Sequence, residues 1–399
     1  MPDPTPNPPT VAQLRRQVQR LRAAIYSQPD PTANPDLLAE LAQAETRLRE
    51  ANALLPPPTP AATAPPPESG SQKLGGDTTG LKVDHVLTMN AIPTAIYNIL
   101  DPETDPLLTV TVTNVSLDAR PKRVRVRAWL EGLSAKAVRT IEIKRKMAKS
   151  RKLLPLLFPE RARLITFTQR TTLHLQVDDL DGKQELHNTF PLILLAQTSG
   201  LNAVTDPATG EPRDFTPYYG AWVTPHDHAV QERIRRAATL HPAGMLPGYL
   251  RGGVENIREQ VKALYQSLRE WGLAYINSVA DYGAPAGTVT QRARLPRESL
   301  AQKNANCVDG TVLFASLLEG VSLSPALLLL PGHALVGWES DELAGDWQFL
   351  ETTMIGSHEF DAACASGQKQ YEQANNFYPE TMKLHRVADL RARGIWPME

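Results

Sequence analysis

Cysteine is scarce in this chain: Cys307 and Cys364 are the only two in 399 residues. A secreted domain stapled by disulfides carries more, so the composition predicts a reducing, intracellular setting. Long apolar runs are also lacking. The longest, around Ala326 to Leu330, is far below the roughly 18 residues that a membrane span needs. The opening MPDPTPNPPT has neither the basic n-region nor the apolar h-region of a signal peptide. Nor does one sign of charge prevail: 42 Lys and Arg against 43 Asp and Glu leave a formal net charge of -1. No global field therefore draws the molecule toward nucleic acid or membrane. These absences predict a soluble, cytoplasmic protein with no membrane association and no nucleic-acid partner. No internal repeat is evident.

Proline, by contrast, is abundant and uneven, with 15 of the 34 lying before residue 68. Within that front section Val11, Leu14, Val18, Leu21 and Ile25 recur at spacings of three and four, a helical stripe of coiled-coil type. SQPDPTANP (Ser27 to Pro35) breaks it, because proline cannot continue a helix. Leu37, Leu41, Ala44, Leu48, Ala51 and Leu55 make a second stripe. The pattern predicts a helical hairpin over residues 1–55. Helices this short are marginal alone, so residues 11–55 are expected to self-associate or dock on a partner protein. PPPTPAATAPPPESGSQ (Pro56 to Gln72) then reads as an extended spacer, placing a Pro-rich linker over 56–78.

Over residues 79–205 the period becomes two. Leu108-Thr-Val-Thr-Val-Thr, Val124-Arg-Val-Arg-Ala-Trp-Leu, Ile141-Glu-Ile-Lys and Thr172-Leu-His-Leu-Gln-Val alternate between turn signals. Such strands predict an all-β sandwich of immunoglobulin-like kind. KRKMAKSRK (Lys144 to Lys152) places six basic residues in nine, the pattern of a solvated loop or a lysine-guarded edge strand. No interleaved aromatic residue supports base stacking. Helical periodicity returns after about Phe215, where Val254, Ile257, Val261, Leu264 and Leu268 mark a helix closed by Gly272. Helices followed by strands predict an α+β domain over 206–399.

Chemistry concentrates in NANCVDGTVLFASLLEGVSLSPALLLLPGHALVGW and the following WQFLE. Asn306 is a good N-cap residue, with Val308, Val312, Ala315 and Leu318 as the buried face of the helix that follows. Cys307 thus falls in the first turn, where unpaired amides and the helix dipole favour an anion and hence a thiolate. Those amides can also hold an oxyanion. His333 follows Pro331-Gly332 at the start of a strand, after a glycine that lets a backbone pass closely. Trp347 to Glu351 reads as the adjacent antiparallel strand, carrying a carboxylate able to orient the imidazole. Gln302 and Asn304 are candidate oxyanion donors, Asp309 a first-turn helix stabiliser, and Trp338 either a cleft wall or core. His226-Asp-His228 lacks further clustered ligands, so no metal and no cofactor are expected. Cys364 has no partner pattern around it.

The segment containing Cys307-Val-Asp309 and Gly332-His333-Ala334 resembles bacterial members of the transglutaminase-like, papain-related superfamily. The resemblance implies a nucleophilic Cys307, a base at His333 and an acid at Glu351, where many members carry Asp. It is specific over about residues 290–355. It implies a cysteine peptidase or amidase acting on protein through a thioester acyl-enzyme. The alternatives are a protein-glutamine transglutaminase or deamidase, and a non-catalytic scaffold on the same fold.

Overall fold

The structure, a computed structural model, describes residues 69–74, 80–117, 120–206, 210–277, 284–342 and 345–398, with six helical positions before residue 48. The chain divides into two compact units, Met1–Thr63 and Ala64–Glu399. In the first, Gln17, Leu21, Asp36, Glu40, Gln43 and Arg47 are helical, and Leu21 is buried. The remainder of the expected hairpin over 1–55, and the spacer up to residue 68, lie outside the described residues.

The second unit begins with strands. One antiparallel sheet is ordered β1 (Ser69–Leu74), β2 (Leu81–Leu87), β4 (Leu108–Asn114), β7 (Ala148–Leu153). A five-stranded sheet is ordered β3 (Ala91–Pro93), β9 (Gln184–Leu195), β8 (Gln169–Asp179), β5 (Lys122–Leu130), β6 (Ala137–Ile143). In β2 and β4 every second residue is buried, which is the period-two pattern in three dimensions. The inward residues of both sheets, among them Val83, Val112, Val126 and Leu175, belong to one apolar cluster. The expected linker ends too late at residue 78. Residues Ser69–Leu74 pair in register with Val86–Leu81, because an open sheet edge supplies backbone hydrogen bonds that SGSQKL, burying only Leu74, does not call for.

The basic run occupies edge positions. β7 ends one sheet and β6 ends the other. Lys149 and Arg151 lie opposite Val112 and Val110, so charge sits on the inner face of an outermost strand. A second chain pairing there would bury it, which discourages edge-to-edge association.

Beyond the two sheets, β10 (Ser199–Thr205) pairs with β11 (Pro212–Asp214) and with β13 (Thr288–Arg292). The division expected at residues 205 and 206 therefore falls inside a three-stranded sheet, and both sides of it share one unit. Helices α2 (His228–Leu240) and α3 (Val254–Trp271) follow α1 (Pro159–Ala162) in the chain. Gly272 closes α3 at φ 81°, a left-handed position where a Cβ is penalised. β12 (Ala274–Tyr275) runs parallel to β14 (Asn304–Ala305), and α4 (Pro296–Gln302) lies between β13 and β14 in sequence.

The last layer contains α5 (Cys307–Gly320) and an antiparallel sheet ordered β17 (Trp347–Leu350), β16 (His333–Glu339), β15 (Pro325–Leu330), β18 (Lys383–Arg386). α5 packs on β15 and β16 and also against α2 and α4. Every residue from Cys307 to Leu318 is consequently buried, beyond the single face that the sequence predicts. α6 (Phe360–Phe377) packs on β17, and α7 (Val387–Ala392) packs against β15 and β18. Among the described residues, no helix is long and apolar enough to cross a membrane.

Candidate active site

The start of α5 is fixed by reciprocal capping. Asn306 Oδ1 accepts the Asp309 N–H at 2.8 Å, and Asp309 Oδ2 accepts the Asn306 N–H at 3.2 Å. Asp309 is also clamped by Arg294, whose N–H, Nε and Nη2 donate to its two oxygens at 2.7, 3.0 and 2.7 Å. Both residues are buried, at 2% and 0% exposure. This pair fastens the segment after β13 to the first turn of α5, in which Cys307 lies.

β15 and β16 are joined by Pro331-Gly332, with Leu330 opposite His333. Gly332 has φ 76° and nothing lies near its missing side chain. Its role is thus the positive φ that a tight Pro-Gly turn requires, not the close backbone approach that the sequence suggests. The turn sets His333 at the beginning of β16. Glu351 lies one residue past β17 and caps the short 3-10 turn Thr352–Met354, rather than lying within the strand.

These elements bring the three expected residues together. His333 Nε2 is 2.6 Å from Glu351 Oε2, and the Cys307 thiol acts on the imidazole through both hydrogen bonding and charge. With Nε2 engaged by the carboxylate, Nδ1 is the ring nitrogen left for sulfur. Burial opposes a charged imidazole, but the Glu351 carboxylate and the Cys307 sulfur outweigh it and raise the His333 pKa to about 10. Burial likewise opposes the Glu351 charge, yet the facing imidazolium and hydrogen bonds from Thr353 and Gln370 hold its carboxyl below the usual value. Thr353 donates from N–H and Oγ1 at 3.0 and 2.7 Å, and Gln370 Nε2 at 2.7 Å. All the acceptor capacity of Glu351 is thereby directed, and the imidazole has one orientation.

Gln291, on β13, is a component that sequence reasoning missed. Its Nε2 lies 3.8 Å from Cys307 Sγ, so a side-chain amide donor faces the sulfur. The residue precedes Cys307 by sixteen positions and lies in an ordinary TVTQR strand, where no local signal singles it out. The two donors named from sequence are not brought to the sulfur. Gln302 Oε1 accepts from Arg294 Nη1 at 2.5 Å, and Asn304 Nδ2 donates to the Gln302 carbonyl at 3.0 Å. They face the Arg294 clamp because α4 ends between them, with Lys303 in a left-handed conformation. Trp338 is 1% exposed within the main core, so it fills interior space and walls no cleft. His226 and His228 are exposed; among the described residues no three His, Cys, Asp or Glu gather as a metal site. Burial pushes the Cys364 thiol up to about 12, leaving it unreactive at neutral pH.

A nucleophile on a helix start, a charged imidazole and an oriented carboxylate form a line able to perform acyl transfer. No protein-family model matches the chain, and a search of curated proteins finds no match.

Proposed function

We propose that the chain is a cysteine hydrolase that cleaves amide bonds in protein substrates. In this reading the two sheets formed by β1 to β9 are an immunoglobulin-like β-sandwich, the part of the same unit that follows the β10–β11–β13 sheet is a transglutaminase-like domain, and residues 11–55 are a site of self-association or recruitment. The observation that carries the proposal is the bridging position of His333, bonded to Glu351 on one nitrogen and facing the Cys307 sulfur with the other.

The chemistry follows from that line. With His333 protonated, Cys307 attacks an amide carbonyl as thiolate, forming a C–S bond and placing negative charge on the carbonyl oxygen. In this reading the Gln291 amide, 3.8 Å from the sulfur, and the first-turn N–H groups of α5 that Asn306 does not cap donate to that oxygen. His333 then passes its proton to the leaving nitrogen, the C–N bond breaks, and an amine departs. Water gives one proton to the now neutral His333 as its oxygen attacks the thioester; the C–S bond breaks, Cys307 leaves as thiolate beside the imidazolium, and the carboxylic acid formed loses its remaining proton to solvent. Glu351 keeps its charge throughout and stabilises the imidazolium.

The second nucleophile separates this function from its rivals. Candidate protein substrates are incubated with wild type and Cys307→Ala in the presence of a labelled primary amine. Hydrolysis yields new chain termini that depend on Cys307. Cys307-dependent amine incorporation into glutamine without chain cleavage makes the protein a transglutaminase instead. A non-catalytic scaffold yields neither, and its Cys307 reacts with iodoacetamide no faster than a simple thiol.

A further inference from the structure

One side of α6 grips Glu351 at two points. The Glu351 backbone N–H donates to the Ala363 carbonyl at 3.1 Å, and Glu351 Oε2 accepts from Gln370 Nε2 at 2.7 Å. Gly367 stands between those two positions. Residues 363, 367 and 370 are spaced by four and three, so they lie along one side of the helix. A Cβ on Gly367 would lie 2.8 Å from the Leu350 nitrogen and from the Phe349 carbonyl carbon and oxygen. All three atoms belong to the backbone of β17, directly before Glu351. Beside this contact the Tyr371 ring stacks on Phe349, with centroids 4.2 Å apart.

Local structure does not call for glycine at 367. The residue lies inside an 18-residue helix and its φ is not positive. Glycine in a helix interior is unfavourable relative to alanine, so packing supplies the reason. Ordinary contact for a Cβ begins at about 3.4 Å, so alanine would drive helix and strand about 0.6 Å apart. Backbone atoms cannot swing aside as a side-chain tip does. Carried to Gln370, that displacement stretches a 2.7 Å bond to about 3.3 Å, past the usual N–H···O range. The other side of the acid is built alike. A Cβ on Gly310, three residues after Cys307 on α5, would meet Thr352 Oγ1 at 2.7 Å. The segment bearing the carboxylate thus touches two helices at glycines, and one of them is the helix of the nucleophile.

We infer that Gly367 and Gln370 are positioning residues for the acid: the missing side chain at Gly367 lets α6 settle on β17 closely enough for Gln370 to hold Oε2, the oxygen that bonds His333. The inference rests on the hydrolase reading above. Both residues act through Glu351, and through it on the imidazolium that accompanies the Cys307 thiolate. Without the Gln370 bond the carboxylate is easier to protonate and freer to turn from His333. Both changes make the thiolate–imidazolium pair harder to keep as pH falls.

The test measures Cys307 alkylation by iodoacetamide in the full-length protein between about pH 4 and 9, by intact mass and peptide mapping, with a melting temperature for each variant. Gly367→Ala and Gln370→Leu are each expected to move the acid limb of the rate profile upward by at least about half a pH unit. Their combination should move it no further than Gly367→Ala alone, because both remove the same bond. Gly220→Ala is the control. Its Cβ would crowd Leu390 of α7 at 2.6 Å, so it should lower the melting temperature and leave the limb in place. Should Gly367→Ala fail to fold, Gln370→Asn, whose amide is withdrawn by one methylene, takes its place. An unmoved limb in either single variant, an equal shift in Gly220→Ala, or a fully additive double variant overturns the inference and leaves the hydrolase reading intact. Wild-type Cys307 labelled no faster than glutathione at neutral pH overturns the hydrolase reading, and the inference with it.

Discussion

His333 Nε2 and Glu351 Oε2, 2.6 Å apart, join the start of β16 to the residue just past β17. The carboxylate is 4% exposed, so little solvent screens this contact. Glu351→Gln preserves the side-chain shape and an acceptor for Thr353 but removes the charge that favours the imidazolium. Acylation of Cys307 should slow by about 10²–10⁴-fold with the fold retained, checked by probe-labelling kinetics beside a circular-dichroism melt. Wild-type rates would assign the third role to another residue.

The same pair gives stability a pH window. His333 is raised from 6.5 to about 10, so its contribution is complete below 6.5 and is lost as pH rises through about 10. Glu351 is depressed from 4.5, so its contribution is present above 4.5 and is lost as pH falls through the lower folded value. The difference in melting temperature between wild type and Glu351→Gln should be flat between about pH 5 and 6, shrink progressively from about pH 6.5 to about 10, and shrink again as pH falls below about 4.5. A difference that grows above pH 10 contradicts the assignment.

Gln291→Ala removes the amide facing Cys307 Sγ. If that amide holds the developing oxyanion, turnover should fall by about 10²-fold with little change in melting temperature. Asn304→Ala, which removes a side chain that donates to the Gln302 carbonyl, should stay within about twofold of wild type. Steady-state kinetics on one cleaved peptide compares the two. Equal effects would return the donor role to the segment before Cys307.

Arg294 and Asp309 form a buried charge pair in which each neutralises the other. Asp309→Asn or Arg294→Met leaves one charge uncompensated and should cost about 3–5 kcal/mol of stability. Arg294→Lys should not restore wild-type stability, because an ammonium cannot reproduce the planar two-point contact. Urea denaturation measures all three. A loss below about 1 kcal/mol would mean that water or a rearranged partner reaches the site.

Removal of residues 1–63 should leave the melting temperature and Cys307 labelling of Ala64–Glu399 nearly unchanged, because that unit has its own apolar core. Size-exclusion chromatography of both forms then reports whether the front section governs association. Aggregation of the truncated protein would place the helical stripes in the core of the fold.

Local order was legible wherever one residue type has one geometric use. Period-two strands, the Gly272 cap, the Asn306 N-cap and the Pro-Gly turn before His333 all follow from short-range sterics and hydrogen bonding. The meeting of Cys307, His333 and Glu351 was legible for a related reason: each adjoins a helix or strand end that the local sequence marks. β1 was missed because SGSQKL has no strand pattern of its own and takes its conformation from the neighbouring edge of β2.

By itself the sequence determined which side chains can carry charge, donate or attack, and the ends of the elements bearing them, because those depend on residues a few positions apart. Only the tertiary structure decided which distant groups meet the sulfur. Gln291 reaches Cys307 from β13, a strand held by its pairing with β10. Gln302 and Asn304, closer along the chain, are turned away by the end of α4 and the Arg294 clamp. Contacts of that kind depend on how whole strands and helices pack, and no local pattern of residues encodes them.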